Sequence, residues 1–208
     1  MRLASYKIVR ERLALTKSQP LRLALTRLAS LKSVQRKSIL ASGVQLEEAT
    51  DYGRIDSLQP PYSLFWRQVE EDGLPYCLAN DITILAYSSM AQGLLTGKFG
   101  PDHTFPKGDH RSKNKLFKLE NYERVQLALE RLRPIAARNG TSMGQLALAW
   151  LIAQPGTSAI AGARNAEQVR QNAKAGEISL TPTDLEEIDL IGRSVTDHLG
   201  DDSVMWEF

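Results

Sequence analysis

Groups able to act as acids, nucleophiles or metal ligands are sparse along this 208-residue chain. Its single cysteine, Cys77, has no partner for a disulfide, and neither it nor His103, His110 and His198 falls at the paired spacing of a zinc site. Cys77 reads as a small buried apolar side chain in a reducing compartment. His103 and His110 lie in a long polar stretch and His198 near the end, where a solvated surface histidine is the ordinary explanation, so none is given a catalytic role. More informative are side chains suited to holding a ligand. The amide of Gln59 can donate and accept together; the ring of Tyr87 can stack on a flat partner; Arg164 carries a permanent charge just before a helical pattern. Each has a plain reading as well: a solvated strand-end amide, a core or rim tyrosine, a solvated loop cation.

The elements around these residues recur in a pattern. Gln45–Tyr52 reads as the tail of a helix stopped by Gly53, and Ile55–Gln59 as a short strand closed by Pro60-Pro61. Arg67–Ala79 spaces apolar residues in loosely helical fashion, and the β-branched run Ile82–Ala86 suits a buried strand. Gly100–Lys118 is polar and punctuated by Pro and Gly, a long loop of the kind kept for function or left mobile. Tyr122, Val125, Leu129, Leu132 and Ala136 mark a helix over Glu120–Asn139. Ser142 and Gln145 form a capping box ahead of the apolar Leu146–Ile152 run. Thr157–Ala161 is a third strand, Ala166–Ala175 a helix, and Thr181-Pro182 a capped start of a helix to about Gly192. Helices alternating with short apolar strands argue for parallel βα units, in an α/β layer or a barrel.

Three segments at the strand ends resemble the aldo-keto reductase family, in the same order and at comparable spacing. Leu58-Gln59-Pro60-Pro61-Tyr62-Ser63-Leu64, with Arg67 nearby, is similar to the family's sixth barrel strand and following turn; the resemblance implies that Gln59 bonds a nicotinamide carboxamide. Residues 84–98, ILAYSSMAQGLLTGK, are similar to the seventh strand and its loop. There Tyr87 is expected flat against the nicotinamide ring, with Ser88, Met90 and Gln92 on the pyrophosphate and Gly93 allowing close backbone approach. The family usually has proline where this chain has Ser89. Residues 160–172, IAGARNAEQVRQN, resemble the eighth strand and the helix after it. A helix start favours a phosphate through its amides and dipole, so Gly162 and Arg164 are expected at a 2′-phosphate, which implies NADP(H), with Gln168 and Asn172 reaching the adenine or its ribose. Gln171 stands where the family more often has Glu.

The resemblance covers about residues 44–192 and implies a partial (β/α)8 TIM barrel, equivalent to the last three strands and their helices. The implied activity is NADPH-dependent reduction of aldehydes or ketones to alcohols, with a small-molecule carbonyl as substrate in the parent family and no nucleic-acid or membrane partner. The family's proton-donating tyrosine and its lysine, aspartate and histidine lie in the first half of the barrel, and residues 1–45 do not match their motifs; Tyr6-Lys7 has neither the spacing nor the surroundings. The chain as given is therefore expected to be truncated and inactive, a partial reductase domain over residues 45–208, with exposed sheet edges that favour aggregation. The alternative is a non-catalytic NADP-binding or regulatory subunit.

Composition supports a soluble globular class and sets the first residues apart. Residues 1–45 carry ten Lys/Arg and one acid, Glu11, for a net +9, against −7 for the remainder. The basic, unmatched segment 1–44 leaves three readings open: an organellar transit peptide, a basic arm drawn to anionic surfaces, or a sequence not selected at all in front of a genuine protein. Its abrupt stop where the patterned sequence begins favours the third. The charges in the first residues break any signal-peptide core, and the expected location is cytoplasmic, or organellar if the segment is a transit peptide.

Overall fold

The computed structural model describes residues 43–51, 53–200 and 205. The basic segment 1–42, like Trp206 and Phe208 of the tail, lies outside them. The order is α1 (Gly43–Thr50), β1 (Ser57–Leu58), α2 (Gly73–Ala79), β2 (Thr83–Ala86), α3 (Leu119–Arg138), α4 (Met143–Ile152), β3 (Thr157–Ala159), α5 (Ala166–Ala173) and α6 (Pro182–Thr196). The strands form one parallel sheet in the order β1-β2-β3, with Leu58 opposite Ile84 and Ala86 opposite Ala159. Parallel neighbours need crossover segments: α2 joins β1 to β2, and α3 with α4 joins β2 to β3, which is the expected α/β layer.

Period-two alternation decides what each strand buries. Ile84 and Ala86 have no exposed surface and pack toward the helices, beside Leu151, Trp150 and Leu64. Thr83, Leu85 and Tyr87 point to the opposite face, where Ser57, Thr83 and Ser158 are exposed and Leu85 and Tyr87 only half-buried. Parallel sheets are normally covered on both faces. Among the described residues, one face is covered and the other is not.

The helix boundaries follow local chemistry. The Ser142/Gln145 capping box of α4 forms as expected, and Thr181 with Asp184 makes a second at α6 behind Pro182. Two expectations need correcting. Arg67–Ala79 is not one helix: a 3-10 turn at Gln68–Glu70 and α2 are separated by Glu71-Asp72. Finally, α6 does not stop near Gly192 but continues to Thr196. That glycine serves packing, because a Cβ there would stand 2.5 Å from Leu64 Cδ1 and 3.0 Å from the Leu64 carbonyl oxygen.

A polar bolt joins the turn after β1 to α6. Arg67 makes a two-pronged pair with Glu70 (2.8 Å each), reaches Asp189 at 2.6 Å and lies 5.1 Å over the Trp150 ring. Asp189 in turn pairs with Arg193 at 3.1 Å. Fully paired charges at a partly buried site fix geometry more than they add stability.

The long stretch 100–118 is ordered rather than loose. Phe99, Phe105 and Phe117 meet edge to face, with Phe105 and Phe117 at 4.6 Å, and Arg111 rests 4.6 Å from the Phe105 ring. His103 is solvent-exposed, as expected, but its ring also leans on Phe99 at 4.5 Å. The Tyr122 hydroxyl donates to the Gly100 carbonyl, and Gln126 Nε2 donates to that of Phe99. An aromatic cluster of this kind offsets the entropy of ordering a polar loop.

Candidate functional site

The site is built at the carboxyl ends of the three strands. Gln59 follows Leu58 directly and, by register, stands level with Leu85 on the uncovered face, with an exposed side chain. Tyr87 lies on the same face one pleat further along. Its backbone extends the pairing through a bridge to Pro61: Tyr62 N–H donates to the Tyr87 carbonyl and Tyr87 N–H to that of Pro60, each at 3.0 Å. Burial raises the Tyr87 phenol above its ordinary pKa, so the ring is neutral across the physiological range.

Beyond Tyr87 the chain folds into a tight, strained loop. Ser88, Ala91 and Gln92 have φ of 54°, 47° and 55°, and Gly93 has 98°. Left-handed backbone at a non-glycine residue costs about 1–3 kcal/mol and persists only where surrounding contacts over-determine it. Here the contacts are Ala91 N–H to Ser88 O (2.7 Å), Gly93 N–H to Met90 O (2.9 Å) and the burial of Ala91, Leu94 and Leu95. Gly93 is further constrained by the Phe99 ring, 3.3 Å from where a Cβ would be. The Gln92 side-chain oxygen is buried and has no hydrogen-bond partner. An orphaned acceptor is costly, and it suits a ligand bearing hydroxyl or amide donors.

The third strand end is more open. Nothing lies within 4 Å of where a Cβ on Gly162 would be, and Arg164 is exposed. Asn165 caps α5 by accepting from Gln168 N–H at 2.9 Å. The side chains expected to reach a ligand are partly committed to this loop: Gln168 Oε1 accepts from Arg164 N–H at 2.7 Å, and Asn172 Nδ2 donates to Gly162 O at 3.2 Å. Each keeps its other amide atom for a ligand. Gln171 accepts from Gln145 Nε2 and donates to Glu167 at 2.7 Å, tying α5 to the start of α4.

One residue of the site was passed over in the sequence. Ser89 is buried, and its hydroxyl donates to the Ile160 carbonyl at 2.9 Å, joining the loop after β2 to the end of β3. The signal was its departure from the proline that the family resemblance implies at this position.

Three other tyrosine hydroxyls among the described residues are engaged elsewhere. Tyr62 donates to Glu70 at 2.8 Å, Tyr122 to Gly100, and Tyr76 pairs with Thr50. Burial first, and then the Glu70 carboxylate, hold the Tyr62 phenol far above the ordinary range, so it is no proton donor near neutrality. Among the described residues no group of three or more His, Cys, Asp or Glu could hold a metal ion. No helix of those residues is long and apolar enough to cross a membrane.

The arrangement matches known proteins. The model of the aldo/keto reductase family matches residues 40–193. The chain is 34% identical over 149 residues to the aldo-keto reductase YhdN of Bacillus subtilis, covering 70% of this chain and 45% of that one. It is 37% identical over 140 residues to the NADH-specific methylglyoxal reductase of Escherichia coli, covering 67% and 42%. The solved structure of a glycerol dehydrogenase from Gluconobacter oxydans superposes with a TM-score of 0.70 at 34% identity, over 74% of this chain and 48% of the other. The chain thus spans under half the length of the relatives it matches.

Proposed function

The chain belongs to the aldo/keto reductase family, and on that premise we propose that its three strand ends hold NADP(H) for the NADPH-dependent reduction of an aldehyde or ketone. The observation that carries the reading is one of register. Gln59 and Tyr87 share one sheet face, followed directly by a strained loop with an orphaned buried acceptor, while an exposed arginine precedes the start of α5.

These residues fit the group. The neutral Tyr87 ring offers a flat apolar platform for a nicotinamide, and Gln59 an amide able to pair with its carboxamide. Gln92 Oε1, an orphaned acceptor, would suit a ribose hydroxyl better than the pyrophosphate the resemblance implies for it, which would fall to the Ser88 and Met90 segment. Arg164, near the positive end of α5, would hold a 2′-phosphate in a charge-assisted pair. Gly162 leaves the backbone open, and Gln168 and Asn172 present their remaining amide atoms to the adenosine. When bound, the coenzyme supplies hydride. What the described residues supply is binding and orientation, since the hydroxyls of Tyr62, Tyr76 and Tyr122 are engaged elsewhere and the Tyr87 phenol is raised by burial. The described residues are therefore assigned coenzyme binding without carbonyl turnover.

The Escherichia coli relative is NADH-specific by name, so the preference for NADP(H) rests on Arg164. Calorimetric titration with NADPH and NADH, beside an assay of aldehyde-dependent NADPH oxidation, tests the reading. Saturable binding, tighter for NADPH and without turnover, is the expected result. Turnover by this chain would overturn the binding-only assignment, equal affinity for both coenzymes would overturn the role of Arg164, and no binding would overturn the whole.

A further inference from the structure

The two loops of the site are held in different ways, and one side chain joins them. Within the loop after β2, the hydrogen bonds of Ser88, Met90, Ala91 and Gly93 close on the loop itself. Within the loop after β3, Asn172 grips Gly162, Gln168 grips Arg164, and Asn165 caps α5, so these contacts close on the loop and its own helix. Between the two stands the peptide of Ile160. Its N–H donates to the Ala86 carbonyl at 2.8 Å, the last rung of the sheet, and its carbonyl accepts from Ser89 Oγ at 2.9 Å. Ser89 is 2% exposed, and it sits in sequence between Ser88 in left-handed backbone and the Ala91-Gln92 turn. A buried hydroxyl spanning 71 residues of sequence at that point fixes where the strained loop stands relative to the phosphate loop.

We propose that Ser89 is a positioning residue: its hydroxyl latches the two coenzyme loops into one unit, so that both halves of a dinucleotide are gripped at once. The inference rests on the coenzyme reading above. Its physical basis is that a ligand spanning two subsites gains affinity from their fixed separation, whereas a ligand filling only one does not. Breaking the latch therefore penalises the dinucleotide and spares a fragment that meets the loop after β3 alone.

The test uses the full chain, titrated with NADP+ and separately with 2′,5′-ADP, in wild type, Ser89→Ala and Ser89→Thr. For Ser89→Ala the expected result is about tenfold weaker NADP+ binding with 2′,5′-ADP affinity unchanged within about twofold, and for Ser89→Thr, which keeps the hydroxyl, a return toward the wild-type ratio. A general loss of structure would weaken both ligands together and would overturn the latch, as would an unchanged NADP+ affinity. If Ser89→Ala does not fold, the ratio measured for Ser89→Thr decides: a wild-type ratio supports the latch and a ratio shifted against NADP+ overturns it. Wild-type protein that binds neither ligand sinks the coenzyme reading itself, and the latch with it.

Discussion

The loop after β2 and the loop after β3 are shaped by opposite means. The first is pressed into the core: Leu94 and Leu95 are buried, Phe99 closes against Gly93, and several residues pay for left-handed backbone with surrounding contacts. The second is exposed from Gly162 through Gln171 and is shaped by side chains reaching back from its own helix. A rigid platform suits a ring that must be held in one orientation, and an open cationic loop suits a phosphate that arrives from solvent. Changes in the first region should therefore cost stability, and changes in the second should cost affinity with little loss of stability.

The largest stability effect is expected outside both regions, where α6 meets the turn after β1, at Gly192→Leu. The new side chain meets Leu64 where even a Cβ stands 2.5 Å from Cδ1, so overpacking of about 3 kcal/mol or more should abolish a cooperative thermal transition. Next comes Arg164→Ala in the second region. Loss of a charge-assisted bond, about 1.5–3 kcal/mol, should weaken NADPH about 10- to 100-fold in a fluorescence titration while leaving NADH binding and the melting temperature unchanged.

Gly93→Ala tests the contrast from the other side. A φ of 98° and the Phe99 ring at 3.3 Å make the added methyl unfavourable by about 1–2 kcal/mol, to be read as a lower melting temperature. Smaller still is Asn172→Ala, which frees Gly162 at an exposed site. It should cost about 1 kcal/mol of coenzyme affinity, roughly fivefold, with an unchanged melt. If Asn172→Ala lowers the melting temperature as much as Gly93→Ala does, the division between the two regions fails.

The smallest effect is one of pH and lies away from both loops. Burial would raise the Asp184 carboxyl, but hydrogen bonds from Arg138, Thr181 and Asn139 outweigh it and hold the pKa below the ordinary carboxylate value. A depressed folded-state pKa means that its contribution is fully present above the ordinary carboxylate pKa and is lost as pH falls through the folded value. The melting temperature should drop on acidification below about pH 4, and less steeply in Asp184→Asn.

What the sequence disclosed follows from the same contrast. The strands were legible because β-branched runs such as Ile82–Ala86 end at turn residues, and α4 and α6 because Ser142 and Thr181 announce their caps. Gly192 misled because glycine near a helix end reads as a stop, whereas here it answers a close contact with Leu64, 128 residues away in sequence. Arg67–Ala79 misled because apolar spacing does not report the break at Glu71-Asp72. Gln59, Tyr87 and Arg164 were visible because they stand at strand ends in a recognisable order. The Ser89 bond to Ile160 and the left-handed turns at Ser88, Ala91 and Gln92 were not, since both depend on a partner strand that local sequence does not name.

The central claim, that the strand ends form a cradle for a nicotinamide dinucleotide, is tested most directly by mapping amide chemical-shift changes on addition of NADP+. Perturbations at Tyr87–Gly93 and at Gly162–Asn172, absent at the cleft lined by Trp66, Glu71 and Arg193, are the expected result. Saturable binding that leaves those two segments unmoved would contradict it.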